Sequence, residues 1–252
     1  MKISNDMKKL LLITGILVSL TAANIVFGQN TSGVIEYEVK INMHRTLPPG
    51  REEMKSMIPE FRTTKNQLFF NADESLYKPI IEEEEDEDQG GGVTMRFKMP
   101  NIEMYLNQSE GKSISKEEFF GREYLIEDSI KTLGWKFGTE VKIIAGYECQ
   151  QAYYTDESNP KRKQEITAWY TTKLRPFLGP ERFRSLPGAV MAVDINNGER
   201  VMVATKIEMR ELKKKELVVP MKGEKISRSE FIKQQEEQMK KMGGQGGMII
   251  RN

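Results

Sequence analysis

A two-residue rhythm constrains this chain more than any other feature. From 35 to 44 the odd positions are Ile35, Tyr37, Val39, Ile41 and Met43, and the even positions are Glu36, Glu38, Lys40, Asn42 and His44. Successive side chains of a strand point to opposite faces, so this stretch predicts a strand with one buried and one wet face. The rhythm recurs in Val93, Met95, Phe97 and Met99, and resumes after Pro100 in Ile102, Met104 and Leu106. Further strands are expected at 113–120, 122–128, 139–145, 147–155 and 164–172. Asn197-Gly198 tolerates the positive φ of a tight two-residue turn, which predicts a hairpin between Ala189–Ile195 and 199–209. On its second arm Val201, Val203, Thr205, Ile207 and Met209 are expected to share a face. Strands of about ten residues suggest one large curved antiparallel sheet, half-barrel-like, rather than a small sandwich.

Two helices interrupt the pattern. Met54, Met57, Ile58 and Phe61 fall at helical spacing after Pro48-Pro49, with Pro59 ending the regular part. Ser227-Arg228-Ser229-Glu230 reads as a capping box that opens a polar C-terminal helix running to about Met242. Its apolar stripe of Phe231, Ile232, Met239 and Met242 is thin.

At the N-terminus Lys8 and Lys9 precede an apolar run over 10–27, and Val26 and Gly28 suit a cleavage site. Residues 1–28 therefore read as a secretory signal peptide, with a retained anchor as the alternative. The expected organisation is that signal peptide, a single β-rich domain over 29–226, and a C-terminal helix with a Gly/Met-rich tail over 227–252. Seven consecutive acids from Glu82 to Asp88, then Gln89 and three glycines, predict an exposed acidic loop over 82–92. Calcium sites stagger their acids around a turn, so a solvated loop is the better reading of that run.

Composition removes several kinds of chemistry. One cysteine and one histidine cannot build a Cys/His zinc site or a His-based triad. A formal net charge of +1 gives no general attraction to nucleic acid. Cys149 shares a strand face with Tyr147 and Tyr153 and reads as a buried, inert thiol, and His44 as a surface imidazole. No nucleophile elbow or phosphate loop appears, and no carboxylate pair stands out as a hydrolase centre, so an enzyme acting on an envelope polymer ranks third. Thirteen of the 15 methionines lie beyond residue 28. Those on strand faces look like core, whereas Met239, Met242 and Met248 cluster near the C-terminus, and soft thioethers suit Cu(I). Copper handling by that trio is the second reading.

Several ordered pieces resemble a known family. They are Tyr124-Leu125-Ile126-Glu127-Asp128, Trp135, Gly146-Tyr147-Glu148-Cys149, Ala168-Trp169-Tyr170-Thr171, Gly179-Pro180, Phe183 and Ser185-Leu186-Pro187-Gly188-Ala189-Val190. Together they resemble the GLPGLI family of exported Bacteroidetes proteins. Ser185 replaces the opening Gly of the eponymous motif, and Ala189-Val190 its closing Leu-Ile. The resemblance covers about 80 residues. It implies an envelope protein, periplasmic or associated with the outer membrane and its TonB-dependent receptors, and a half-barrel like that of lipoprotein carriers. It implies no catalytic residue and no cofactor. The glycines, prolines and aromatics read first as architecture. The functional alternative sets Trp135, Tyr147, Trp169, Tyr170, Leu186, Pro187 and Gly188 around the rim of an apolar pocket for a lipid-like ligand. The expected role is therefore non-catalytic: binding such a ligand, or docking on an outer-membrane transport complex.

Overall fold

The computed structural model describes residues 31–47, 50–81, 101–158 and 163–243. The proposed signal peptide, the acidic loop, the alternating stretch 93–99 and Met248 lie outside the described residues, as do the side chains of Met239 and Met242.

Twelve strands build one open, curved sheet. The strands β1 (Gly33–Asn42), β2 (Phe61–Phe70), β3 (Glu74–Pro79), β4 (Ile102–Asn107), β5 (Lys112–Phe119) and β6 (Arg122–Ser129) form one meander. A second meander comprises β7 (Lys136–Ile144), β8 (Tyr147–Asp156), β9 (Gln164–Thr171), β10 (Ala189–Ile195) and β11 (Arg200–Met209). Antiparallel pairing of β1 with β11 joins the two, and β12 (Glu224–Ile226) adds a short parallel edge to β6. The sheet order is β12-β6-β5-β4-β3-β2-β1-β11-β10-β9-β8-β7.

That order and one short connection require strong curvature. Strands β6 and β7 stand ten places apart, which in a flat sheet is ~48 Å at ~4.8 Å per strand. The link over 130–135 spans at most ~25 Å when fully extended. The sheet therefore curls until its two ends approach.

Cross-strand partners show which residues share the inner face. One row runs Ile207, Ile35, Leu68, Tyr77, Met104, Ser115 and Ile126 across β11 and β1 to β6. The next places Phe70, Ser75, Leu106 and Ser113 in line. On the outer face Leu76, Tyr105, Ile114 and Leu125 form a separate cluster covered by Leu217 and Val219.

Several expectations need correction. The strand starting at Ile35 stops at Asn42, where the Asn42 side chain accepts from Arg45 N (3.1 Å) and opens a four-residue helix, Met43–Thr46. His44 is half-buried, with Nε2 3.1 Å from the Ile58 carbonyl. The helix expected over 54–61 is only a 3₁₀ turn, Glu52–Ser56, because Phe61 already opens β2 and pairs with Asn42. The turn after β10 takes four residues rather than two, Ile195 facing Arg200, with Asn196, Asn197 and Gly198 all at positive φ. On β11 the buried residues are Met202 and Ala204, not Val201 and Val203. Thr205 bulges out between the partners of Glu36 and Tyr37, and a bulge of one residue reverses the side-chain phase. Ala145 and Gly146, both at positive φ, form the two-residue turn between β7 and β8.

The C-terminal helix, Arg228–Gly243, starts as its sequence predicts. Ser227 N donates to Glu230 Oε2 (3.0 Å) while Glu230 N donates to Ser227 Oγ (3.2 Å), a reciprocal cap. Phe231 is buried against Tyr124 and Ile126, so the helix covers the β6 end of the inner face.

Candidate functional site

The concave side of the sheet is filled by the chain itself. The loop 172–188 between β9 and β10 buries Leu174, Leu178, Phe183 and Leu186. Phe183 and Leu186 pack with Val39, Ile41, Tyr170, Val190 and Val193. The neighbouring Arg184 Nη2 donates to Ser113 Oγ on β5, 2.8 Å away. Strands β5 and β10 are six places apart, or ~29 Å in a flat sheet, far beyond the reach of one side chain. The sheet is thus wrapped around this loop, which acts as a plug.

Charged groups anchor the plug at several points. Arg175 donates to the carbonyls of Asn71 (2.8 Å) and Glu74 (2.7 Å), and burial lowers its guanidinium to about 10. Glu181 pairs through both oxygens with Arg200 of β11. Arg182 reaches Asp156 at 2.7 Å. Ser185 Oγ accepts from Leu133 N (2.9 Å) and Trp135 Nε1 (3.1 Å), tying the β6–β7 link to the plug. Gly188 has no room for a side chain, because a Cβ there would overlap the Thr171 carbonyl.

The expected rim residues do not form one rim. Trp169 and Tyr170 are neighbours on β9 and face opposite sides of the sheet. Tyr170 packs with Val190, Phe183 and Leu186, whereas Trp169 is aligned with Ala192 and joins the neighbouring cluster of Ile35, Tyr37, Leu174 and Leu178, with Lys142 Nζ 3.9 Å from its ring centre. Leu186 and Gly188 are buried, Pro187 is exposed, and Trp135 and Tyr147 are half-buried. Trp135 rests against Tyr154, ring centres 5.7 Å apart. Two shallow clefts, of about 290 and 330 Å³, lie elsewhere, beside the C-terminal helix; Leu125, Glu127, Lys225 and Glu230 line the first, and Phe119, Phe120, Arg122 and Glu237 the second.

Apolar surface is instead displayed on edge strand β7. Phe137, Val141 and Ile143 are aligned with Ala152, Gln150 and Glu148 of β8, every second residue, and so share one face. They are 61%, 56% and 69% exposed, although large apolar side chains are ordinarily buried. The Phe137 ring lies 6.0 Å from Tyr170, so the row begins at the lip of the filled interior. Residues 138–140 bulge out of the ladder, and a bulge on an edge strand hinders the addition of another strand. What the row offers a partner is therefore its side chains rather than its backbone.

Sequence reasoning missed the charged residues of the interior. Arg184, Glu181 and Arg200 follow no periodicity, and their meeting depends on strands far apart in the chain. Cys149 is buried as expected, and burial pushes its thiol up to about 11. Among the described residues no group of three or more His, Cys, Asp or Glu is placed to hold a metal ion, and no helix is long and apolar enough to cross a membrane.

No family model matches this chain, and no curated protein does. Among solved structures it is similar to PNGF-II in its P21 and C2 crystal forms, at 15% and 16% identity and a TM-score of 0.53 for each. The alignment covers 80% of this chain and 32% of that one, so this chain corresponds to about a third of PNGF-II. The likeness is one of fold.

Proposed function

We propose that this chain is an exported, non-catalytic binding protein of the GLPGLI type that docks on an outer-membrane, TonB-dependent transport complex. The row Phe137, Val141 and Ile143 makes the contact. The observation that carries this reading is the pairing of an exposed apolar row with a filled interior. A lipid carrier needs a hollow apolar space, and here Leu178, Phe183 and Leu186 occupy the position such a ligand would take. Burial of Phe137, Val141 and Ile143 against a partner would remove their apolar surface from water, at roughly 25 cal/mol per Å². The acidic and basic residues beside the row, Glu148 and Lys136, would orient that partner more than hold it.

Site-specific photocrosslinking in intact cells tests the proposal. A photoreactive residue at position 141 or 143 is expected to give an adduct of receptor size in the envelope fraction, and one at the exposed Lys214 is not. Ile143→Lys, combined with the probe at 141, should abolish the adduct. Adducts equally strong from all positions, or lipid-sized adducts from 141, would overturn docking through this row.

A further inference from the structure

Arg184 is a guanidinium held inside the molecule, 7% exposed. Its Nη2 donates to Ser113 Oγ, while its Nη1 has no hydrogen-bond partner and no solvent contact. Among the described residues no carboxylate forms an ion pair with it. Burial lowers the guanidinium to about 10, which leaves it protonated at neutral pH, so deprotonation does not relieve the buried charge.

Three more polar atoms face the same interior without partners. They are Ser75 Oγ and Tyr77 OH on β3, and Arg200 Nε on β11. Ser75 and Ser113 flank Leu106 in one row and point the same way, two strand spacings or ~10 Å apart. Glu181 of the plug is already paired with Arg200, which leaves Arg184 without a counter-charge among the described residues. Farther along β5 the Arg228–Glu117 pair, at 2.7 Å, is already balanced. Buried polar groups almost always have partners, and an unpaired buried charge costs several kcal/mol. A water molecule would satisfy the free N–H of Arg184 but not its charge. An anion would satisfy both.

We propose that the interior of the sheet binds one small monovalent anion against Arg184 Nη1, beneath the plug. The anion must be compact, because Nη1 is enclosed by the chain and Leu106, the neighbour of Ser113 in the row, is fully buried. Such an anion is part of the folded state: it stabilises the wrapped sheet by binding that state and not the unfolded chain.

Chloride is the probe. The full-length protein is melted in sodium chloride and in sodium gluconate at equal ionic strength, gluconate being too large to enter. Chloride should raise Tm by about 2–4 °C, and Arg184→Met should melt at the same temperature in both salts. Crystals soaked in bromide should show an anomalous peak within hydrogen-bond distance of Arg184 Nη1. Equal melting of the parent protein in the two salts overturns the proposal, as does a chloride response that survives in Arg184→Met. If Arg184→Met does not fold, Ser113→Ala and the bromide peak decide, and bromide confined to the surface overturns the proposal.

Discussion

Glu216 shows how one side chain can organise a segment with no secondary structure. Both its oxygens accept from Arg210, at 2.7 Å each, and one also accepts from Lys213 N at 2.6 Å. The Arg210 hydrogen bonds hold its carboxyl down to about 2. A carboxyl depressed in the folded state contributes stability above its ordinary value and loses it as pH falls toward the folded value. Tm of the parent protein should therefore fall between about pH 5 and pH 2, and Glu216→Gln should flatten part of that slope in a calorimetric series. The pair is partly exposed, so its share is small. At this scale the sequence was read unevenly. Cys149 was legible as a buried thiol because its neighbours alternate. Ser185 stood out only as a departure from a family motif, yet its hydroxyl joins Leu133 and Trp135 to the plug.

Among the elements, the plug over 172–188 fills the interior of the sheet and had the weakest signature. It has no periodicity, and its Leu174, Leu178, Phe183 and Leu186 are spaced irregularly around two glycines and three prolines. Phe183→Ala should destabilise the protein by about 3–5 kcal/mol, because the sheet around it cannot collapse into the space left. Gly188→Ala should cost about 1–3 kcal/mol through its clash with Thr171. Urea unfolding of the two variants checks both values, and a loss under about 0.5 kcal/mol for Phe183→Ala would mean that the plug is not core. Strand β2 was missed for a related reason. Its first seven residues, Phe61 to Gln67, are mostly polar and none is buried, so no rhythm marks them. Pairing with β1 along its whole length makes it a strand.

Across the whole molecule, two meanders are joined by one strand pair, and the plug bridges them. Both tryptophans, Trp135 and Trp169, lie on the β7–β11 side, whereas far-UV circular dichroism reports on all strands. Because Arg175 and Arg184 fasten the plug to β3 and β5, the two halves should unfold together, with coincident fluorescence and dichroism transitions in urea. Separate midpoints would show that the meanders are independent. The sequence by itself determined what lies within reach of a few residues: the alternation of β1, the hairpin at Asn197-Gly198, the cap at Ser227 and the mainly β class. These follow from side-chain direction and local backbone preference, which need no distant partner. Tertiary structure alone decided that β1 pairs with β11, that the sheet curls around its own loop, that Trp169 and Tyr170 part company, and that Arg184 ends without a counter-charge. Each of those depends on surfaces brought together from distant parts of the chain, and burial rather than local preference selects among the possible pairings.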